Sequence, residues 1–347
     1  MLTMININIL KTHLICITGA VLFLGLGLPL PWLFGPLFAS LTAAVVGVQL
    51  KTWKPLNDGM RTILGVAIGA TITSSFFLSL PSLVPTLIMV PLLTIGIGIC
   101  GVLYFKKLLN YDFPTAYYAS MPGGLQDMIL FGEEAGANVR AISLIHATRV
   151  LIIVITLPLI LTQLWDVNLM EAPGAMAREV GASQIIILAF CGLLGWQAAK
   201  RVGMFGASIL GPLILTGIAS MLGIVTMRPP AEAIWAAQYF IAMGIGVKYV
   251  GITVDEIRRD ILAGLGFSLF LFALTALTIE IALIFSHTPV IETILALTPG
   301  GQAELVVLAL IVGADMTFVV AHHLLRIFFV ILGAPVVAML IPAWIRD

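Results

Sequence analysis

Runs of about twenty apolar residues recur along this chain of 347 residues, and a helix of that length spans the roughly 30 Å hydrocarbon layer of a bilayer. Backbone polar groups in lipid must be satisfied inside a helix or around a closed barrel. The alternating pattern of transmembrane strands, about ten residues long, is missing from the sequence, which leaves helices. The chain therefore reads as an all-α polytopic membrane protein whose first partner is the lipid bilayer. Composition agrees: 10% of residues are charged and 60% hydrophobic, where a soluble domain carries about 25% charged residues.

Spans are expected near 13–29, 33–50, 62–80, 83–105 and 139–161, then 183–200, 204–225, 234–252, 261–285 and 317–342. Between the fourth and fifth of each set lies a shorter segment, 113–136 and 290–313, interrupted by Pro-Gly-Gly. The two sets read as copies. Pro122, Gly123, Gly124, His146, Arg149 and Pro158 recur as Pro299, Gly300, Gly301, His323, Arg326 and Pro335, all at an offset of 177 residues, and Asp127 becomes Glu304. Near the same offset Gly35-Pro36 meets Gly211-Pro212. Aliphatic matches carry little weight in such a chain, but His, Arg and Pro are rare enough in spans for a shared offset to mean duplication. The expected organisation is a first membrane repeat over 1–161, a polar linker over 162–182 and a second repeat over 183–347.

Lys and Arg in short loops set orientation. With a cytoplasmic N-terminus, and with the Pro-Gly-Gly segments dipping in and returning, Lys51, Lys54, Arg61, Lys106, Lys107, Lys200, Arg201, Arg258, Arg259 and Arg346 all fall inside. The 162–182 linker and Arg228 then fall outside. That gives five crossings per half and inverts the second copy, the arrangement of many secondary transporters. Full crossing by the broken segments gives six and six with a weaker charge bias, and both counts stand at this stage.

Pro lacks an amide hydrogen and Gly accepts most backbone angles, so Pro-Gly-Gly in an apolar segment breaks the helix and frees carbonyls before it and amides after it. Paired breaks in matching places of two halves mark a substrate site near the midplane. The candidate substrate- or ion-binding set is Pro122, Gly123, Gly124, Asp127, His146 and Arg149 with Pro299, Gly300, Gly301, Glu304, His323 and Arg326. Asp127 and Glu304 either cap the following half-helix or bind a cation or proton. His-x-x-Arg puts both side chains on one helix face. The arginines either form struts with Asp127 and Glu304 or hold an anion, with His as a proton carrier. Asn138 and Asp315 read as helix caps, and Gly35, Pro36, Gly211 and Pro212 as kinks or close helix contacts. His13, His287 and His322 read as interfacial or packed. No basic run suggests nucleic acid. Cys16, Cys100 and Cys191 are scattered through apolar runs, which argues against a disulfide framework or thiolate metal site. No cofactor motif is present, and no metal site is assigned.

The Pro-Gly-Gly-x-x-acid segments, the Gly-Ala and His-x-x-Arg that follow, and the opening "PWLFGPLFASL" resemble the AbrB membrane protein family over essentially the whole chain. The resemblance implies an integral protein of the bacterial inner membrane, under labels as different as regulator and ammonia monooxygenase. Oxygen chemistry on ammonia needs several His or carboxylate ligands at fixed spacing; His322 and His323 are adjacent on a helix and point about 100° apart. A cluster of His146, His323, Asp127 and Glu304 is the one arrangement open to it. Any effect on gene expression would be indirect, since nothing here can touch DNA. A secondary transporter of a small solute leads, with coupling to protons or cations left open; a membrane sensor and a membrane-embedded enzyme are the alternatives. Substrate charge and association into a homo-oligomer are left open.

Overall fold

Backbone groups that cannot reach water close on themselves along almost the whole chain. The computed structural model describes residues 7–340 without Thr73, Asp166, Met170, Glu171, Phe205 and His287, and without the side chains of 74–80, 126 and 339. His287 and Arg346 thus lie outside the described residues. The structure is 79% helix, with no strand among the described residues. In chain order the helices are α1 (Ile7–Gly25), α2 (Pro31–Val45), α3 (Lys54–Gly69), α4 (Ser74–Val102), α5 (Phe113–Ser120), α6 (Leu125–Glu134) and α7 (Val139–Trp165). There follow α8 (Ala182–Arg201), α9 (Ala207–Met221), α10 (Ala231–Gly246), α11 (Val254–Glu256), α12 (Leu262–Ser286), α13 (Val290–Leu297), α14 (Gln302–Ile311) and α15 (Met316–Leu340).

Among the described residues six helical stretches are long and apolar enough to cross a membrane: Ile7–Gly25, Pro81–Leu108, Val139–Trp165, Ala182–Arg201, Val254–Ser286 and Met316–Ala338. Helices α2 and α9 have 15 residues and α3 and α10 have 16, about 22–24 Å of rise. The third expected span, 62–80, is displaced: α3 ends at Gly69, where the Thr71 hydroxyl closes on the Ile68 carbonyl at 2.7 Å. Lys54, Asp58 and Arg61 lower the hydropathy of its first turns, so an apolar window slides past the turn into α4.

The chain divides into two units, and each draws on both ends of the sequence: Met1–Leu80, Pro158–Ile252 and Val306–Thr317 in one, Pro81–Leu157, Thr253–Leu305 and Phe318–Asp347 in the other. In the first unit α1 packs on α2 and α8 on α9, while α2 packs on α10 and α9 on α3. Glycines set these contacts. A Cβ on Gly19 would strike the Gly35 carbonyl, and one on Gly211 the Gly195 carbonyl. Small residues let helix backbones approach where lipid offers no hydrophobic drive to association. Pro36 and Pro212 lie inside α2 and α9, and the Pro36 carbonyl accepts the Ser40 hydroxyl at 2.6 Å. Gly35, Pro36, Gly211 and Pro212 are therefore helix contacts of this unit.

The second unit holds most of α4, α5, α6, most of α7, α11, α12, α13 and most of α15. Its core includes Phe105, Tyr111, Phe113, Met128, Ile142, Phe267, Leu271 and Val330. Phe105 and Phe267 rings meet at 4.9 Å. At one end Tyr111 donates to the buried Asp260 carboxylate at 2.7 Å, Arg259 covers the Tyr111 ring at 4.6 Å, and Arg140 pairs with Glu256 at 2.7 Å. Two π-helical turns, Leu103–Leu108 and Ile257–Ile261, carry Phe105 and Asp260 into this cluster.

Candidate functional site

The site begins with what proline takes away. In an unbroken helix the Tyr118 carbonyl would accept the amide of residue 122, and the Leu295 carbonyl that of residue 299. Both are Pro, which has none. Helix α5 accordingly stops at Ser120 and α13 at Leu297, and new half-helices start at Leu125 and Gln302. The broken segments expected from Pro-Gly-Gly are present at both places.

His146 supplies the missing donor to Tyr118 at 2.9 Å through Nε2, and His323 does so to Leu295 at 3.0 Å. Each buried ring replaces the amide hydrogen that proline lacks. Arg149, one turn on, donates to the carbonyls of Met121 at 3.1 Å and Gly123 at 3.4 Å. Arg326 donates to Thr298 at 2.6 Å and Gly300 at 3.2 Å. A cation at a helix carboxyl end is also favoured by the helix dipole. His-x-x-Arg is thus a clamp for a proline-broken helix end, and every bond of the second clamp falls 177 residues after its counterpart.

The bonding fixes the His146 tautomer. The Tyr118 carbonyl only accepts, so Nε2 carries hydrogen. Arg149 only donates, so Nδ1, 3.1 Å from it, presents its lone pair. Both nitrogens are engaged, and a proton added at Nδ1 would have to expel Arg149. The expected proton-carrier role finds no free position on this ring. His323 differs, since its Nδ1 is buried without a partner. His146→Gln, which keeps a donor and an acceptor, is expected to melt near the parent temperature in detergent. His146→Leu should lose about 1–3 kcal/mol through the stranded Tyr118 carbonyl.

The struts do not form as expected. Neither guanidinium reaches a carboxylate; their acceptors are carbonyls and, for Arg149, a ring nitrogen. Asp127 and Glu304 both stand at the third position of their half-helices. The Asp127 carboxylate turns back to its own amide, and that of Glu304 folds over Gly301. Acids at this position meet the positive end of the helix dipole. Asn138 accepts from the Ala141 amide at the start of α7, and Asp315 from the Thr317 amide at the start of α15. Among the described residues no three of His, Cys, Asp and Glu gather as metal ligands, and the cluster of His146, His323, Asp127 and Glu304 does not form.

Glycine earns its place here by size rather than angle. Gly123, Gly124, Gly300 and Gly301 are absent from the positive-φ residues. A Cβ on Gly123 would sit 2.9 Å from Val330 of α15, and one on Gly300 3.0 Å from Ile153 of α7. Val330 lies one turn beyond Arg326, and Ile153 one turn beyond Arg149. Each break therefore packs beside the clamp helix of the other half, within one unit, and the two guanidinium charges come within electrostatic reach. The acceptor carbonyls and these aliphatic contacts escaped the sequence reading; the Pro four residues after Tyr118 and Leu295 was the available signal.

The sequence pattern of the family described as "Transition state regulatory protein AbrB" matches residues 32–342. The chain belongs to the AbrB family. One AbrB relative, "Putative regulator AbrB" of Escherichia coli strain K12, is 25% identical over 97% of this chain and 98% of its own length. Another, "Uncharacterized protein YhjN" of Bacillus subtilis strain 168, is 25% identical over 89% of this chain and 86% of its own.

Proposed function

We propose that this AbrB-family chain is a secondary transporter of a small solute, with its site where the two Pro-Gly-Gly breaks meet. The observation that carries the reading is the reciprocal seating of the breaks: Gly123 against Val330 and Gly300 against Ile153. Interrupted helices at membrane depth persist where protein buries them or a wet cavity receives their backbone groups. Pairs of them at corresponding places belong to alternating-access carriers. On this reading 1–161 and 183–347 are inverted copies joined by 162–182, with five crossings each, a cytoplasmic N-terminus and a place in the bacterial inner membrane. The reciprocal packing of α2 on α10 and α9 on α3 supports duplication. Pro122, Gly123, Gly124, Asp127, His146 and Arg149 with their counterparts form the site's frame.

A second reading, a membrane regulator acting indirectly on gene expression, draws on the name of the Escherichia coli relative. Proteoliposomes separate the two. Purified protein should drive saturable uptake from a panel of labelled small amines, carboxylates and inorganic ions, measured with and without an imposed proton gradient. Uptake no faster than in empty liposomes for the whole panel would remove the transporter reading.

A further inference from the structure

The charge of the transported solute follows from which polar atoms the crossing leaves without partners. Buried arginines ordinarily sit against carboxylates, because removing a guanidinium from water is costly without a counter-charge. Arg149 and Arg326 are 2% and 5% exposed, and the acceptors they meet are neutral. Their Nη groups hold the ends of α5 and α13. The Nε–H of each is buried with no partner, at positions 177 residues apart. The Gln302 side-chain amide nitrogen is buried and unpartnered as well. It stands two residues after Gly300, whose carbonyl Arg326 holds. Three donors and two positive charges thus collect around the breaks. Asp127 and Glu304, turned onto their own half-helices, do not reach the guanidiniums.

An unsatisfied buried donor calls for an acceptor, and a pair of guanidiniums calls for a negative one. We propose that the crossing of the two breaks binds a small oxyanion, with Arg149 and Arg326 supplying charge and Nε–H donors and Gln302 a further donor. The proposal rests on the reading of this crossing as the transport site and adds the substrate class, that of small carboxylates and inorganic oxyanions. A carboxylate has the planar pair of acceptor oxygens that a guanidinium matches best. Gln302 makes the two breaks unequal, since Leu125 occupies the corresponding place in the first.

The test uses the full-length chain purified in detergent, with thermal unfolding followed at constant ionic strength. Sodium acetate, sodium succinate and sodium sulfate are titrated against methylammonium chloride and choline chloride. At least one oxyanion should raise the melting temperature saturably by several degrees, and the two organic cations should not. Arg326→Lys keeps a charge but loses the fork and its Nε–H, and should abolish the shift. Gln302→Leu installs the residue of the first break, so it should fold, and should weaken the apparent affinity several-fold. It decides the matter if Arg326→Lys fails to fold. An absent oxyanion shift, a saturable shift by the organic cations alone, or an unchanged affinity in Gln302→Leu would overturn the proposal. Transport of an ammonium ion without oxyanion binding would sink the oxyanion site and keep the transporter. Oxyanion binding without flux in proteoliposomes would do the reverse.

Discussion

Gly211→Leu is expected to yield protein that inserts but does not assemble. A side chain there would enter the space of the Gly195 carbonyl and lie 2.6 Å from the Ala199 methyl group. Neither obstacle is the movable end of a long side chain. The backbone of α8 would have to withdraw along its contact with α9. Overpacking by a methylene group or two costs about 1–3 kcal/mol in cores that can adjust. Here the adjustment means separating two helices, so even Gly211→Ala should lower the melting temperature measurably. Gly333→Ala is the control, because no atom lies within 4 Å of a Cβ at that site of α15; helix propensity makes it neutral or slightly stabilising by about 0.5–1 kcal/mol. Fluorescence-detected size-exclusion chromatography should show aggregate for Gly211→Leu and a single peak for Gly333→Ala. A normal monodisperse peak for Gly211→Leu would contradict the close packing of α8 and α9.

Arg149→Met should both destabilise the protein and abolish transport. The substitution preserves bulk and hydrophobicity but strands the carbonyls of Met121 and Gly123 and the Nδ1 of His146. At the average of about 0.6 kcal/mol for hydrogen bonds within membranes, three contacts amount to roughly 2 kcal/mol. Buried acceptors left without partners raise that figure. Arg149→Lys should recover part of the stability, since an ammonium reaches a carbonyl but lacks the fork. Chemical unfolding in detergent measures the first effect and proteoliposome uptake the second. Uptake retained at parental rate in Arg149→Met would limit this buried side chain to holding the end of α5.

The all-helical, membrane-like class, the edges of several long apolar helices and both helix breaks were legible in the sequence, because hydropathy and proline act locally. The edges of α7, α8, α12 and α15 fall within a few residues of the apolar runs, and α5–α6 and α13–α14 divide at Pro-Gly-Gly as expected. The boundary of α3 was not legible, since Lys54 and Arg61 belong to the helix but count against it in any hydropathy window. Which helices pack together was hidden as well. Apolar stripes on α2, α3, α9 and α10 look alike, and a glycine's neighbour is not written beside it. The histidines show the limit for the site. Their spacing from arginine was visible, but their purpose depends on a carbonyl 28 residues upstream whose helical donor is a proline. Asp260 and Arg140 were overlooked because each stands at the rim of an apolar run, where a charge is unremarkable until Tyr111 and Glu256 are seen beside them.

The interlacing of distant segments bears on biogenesis. Helix α3 finds α9, and α2 finds α10, only after the ribosome has delivered the second half of the polypeptide. Until then α3, whose Gly65 and Gly69 lie against the Ile209 and Leu213 carbonyls of α9, lacks the neighbour that its small residues fit and is open to the wrong one. Splitting the gene at the connection between α7 and α8 should therefore give two fragments that are each degraded when made singly and rescue one another when made together.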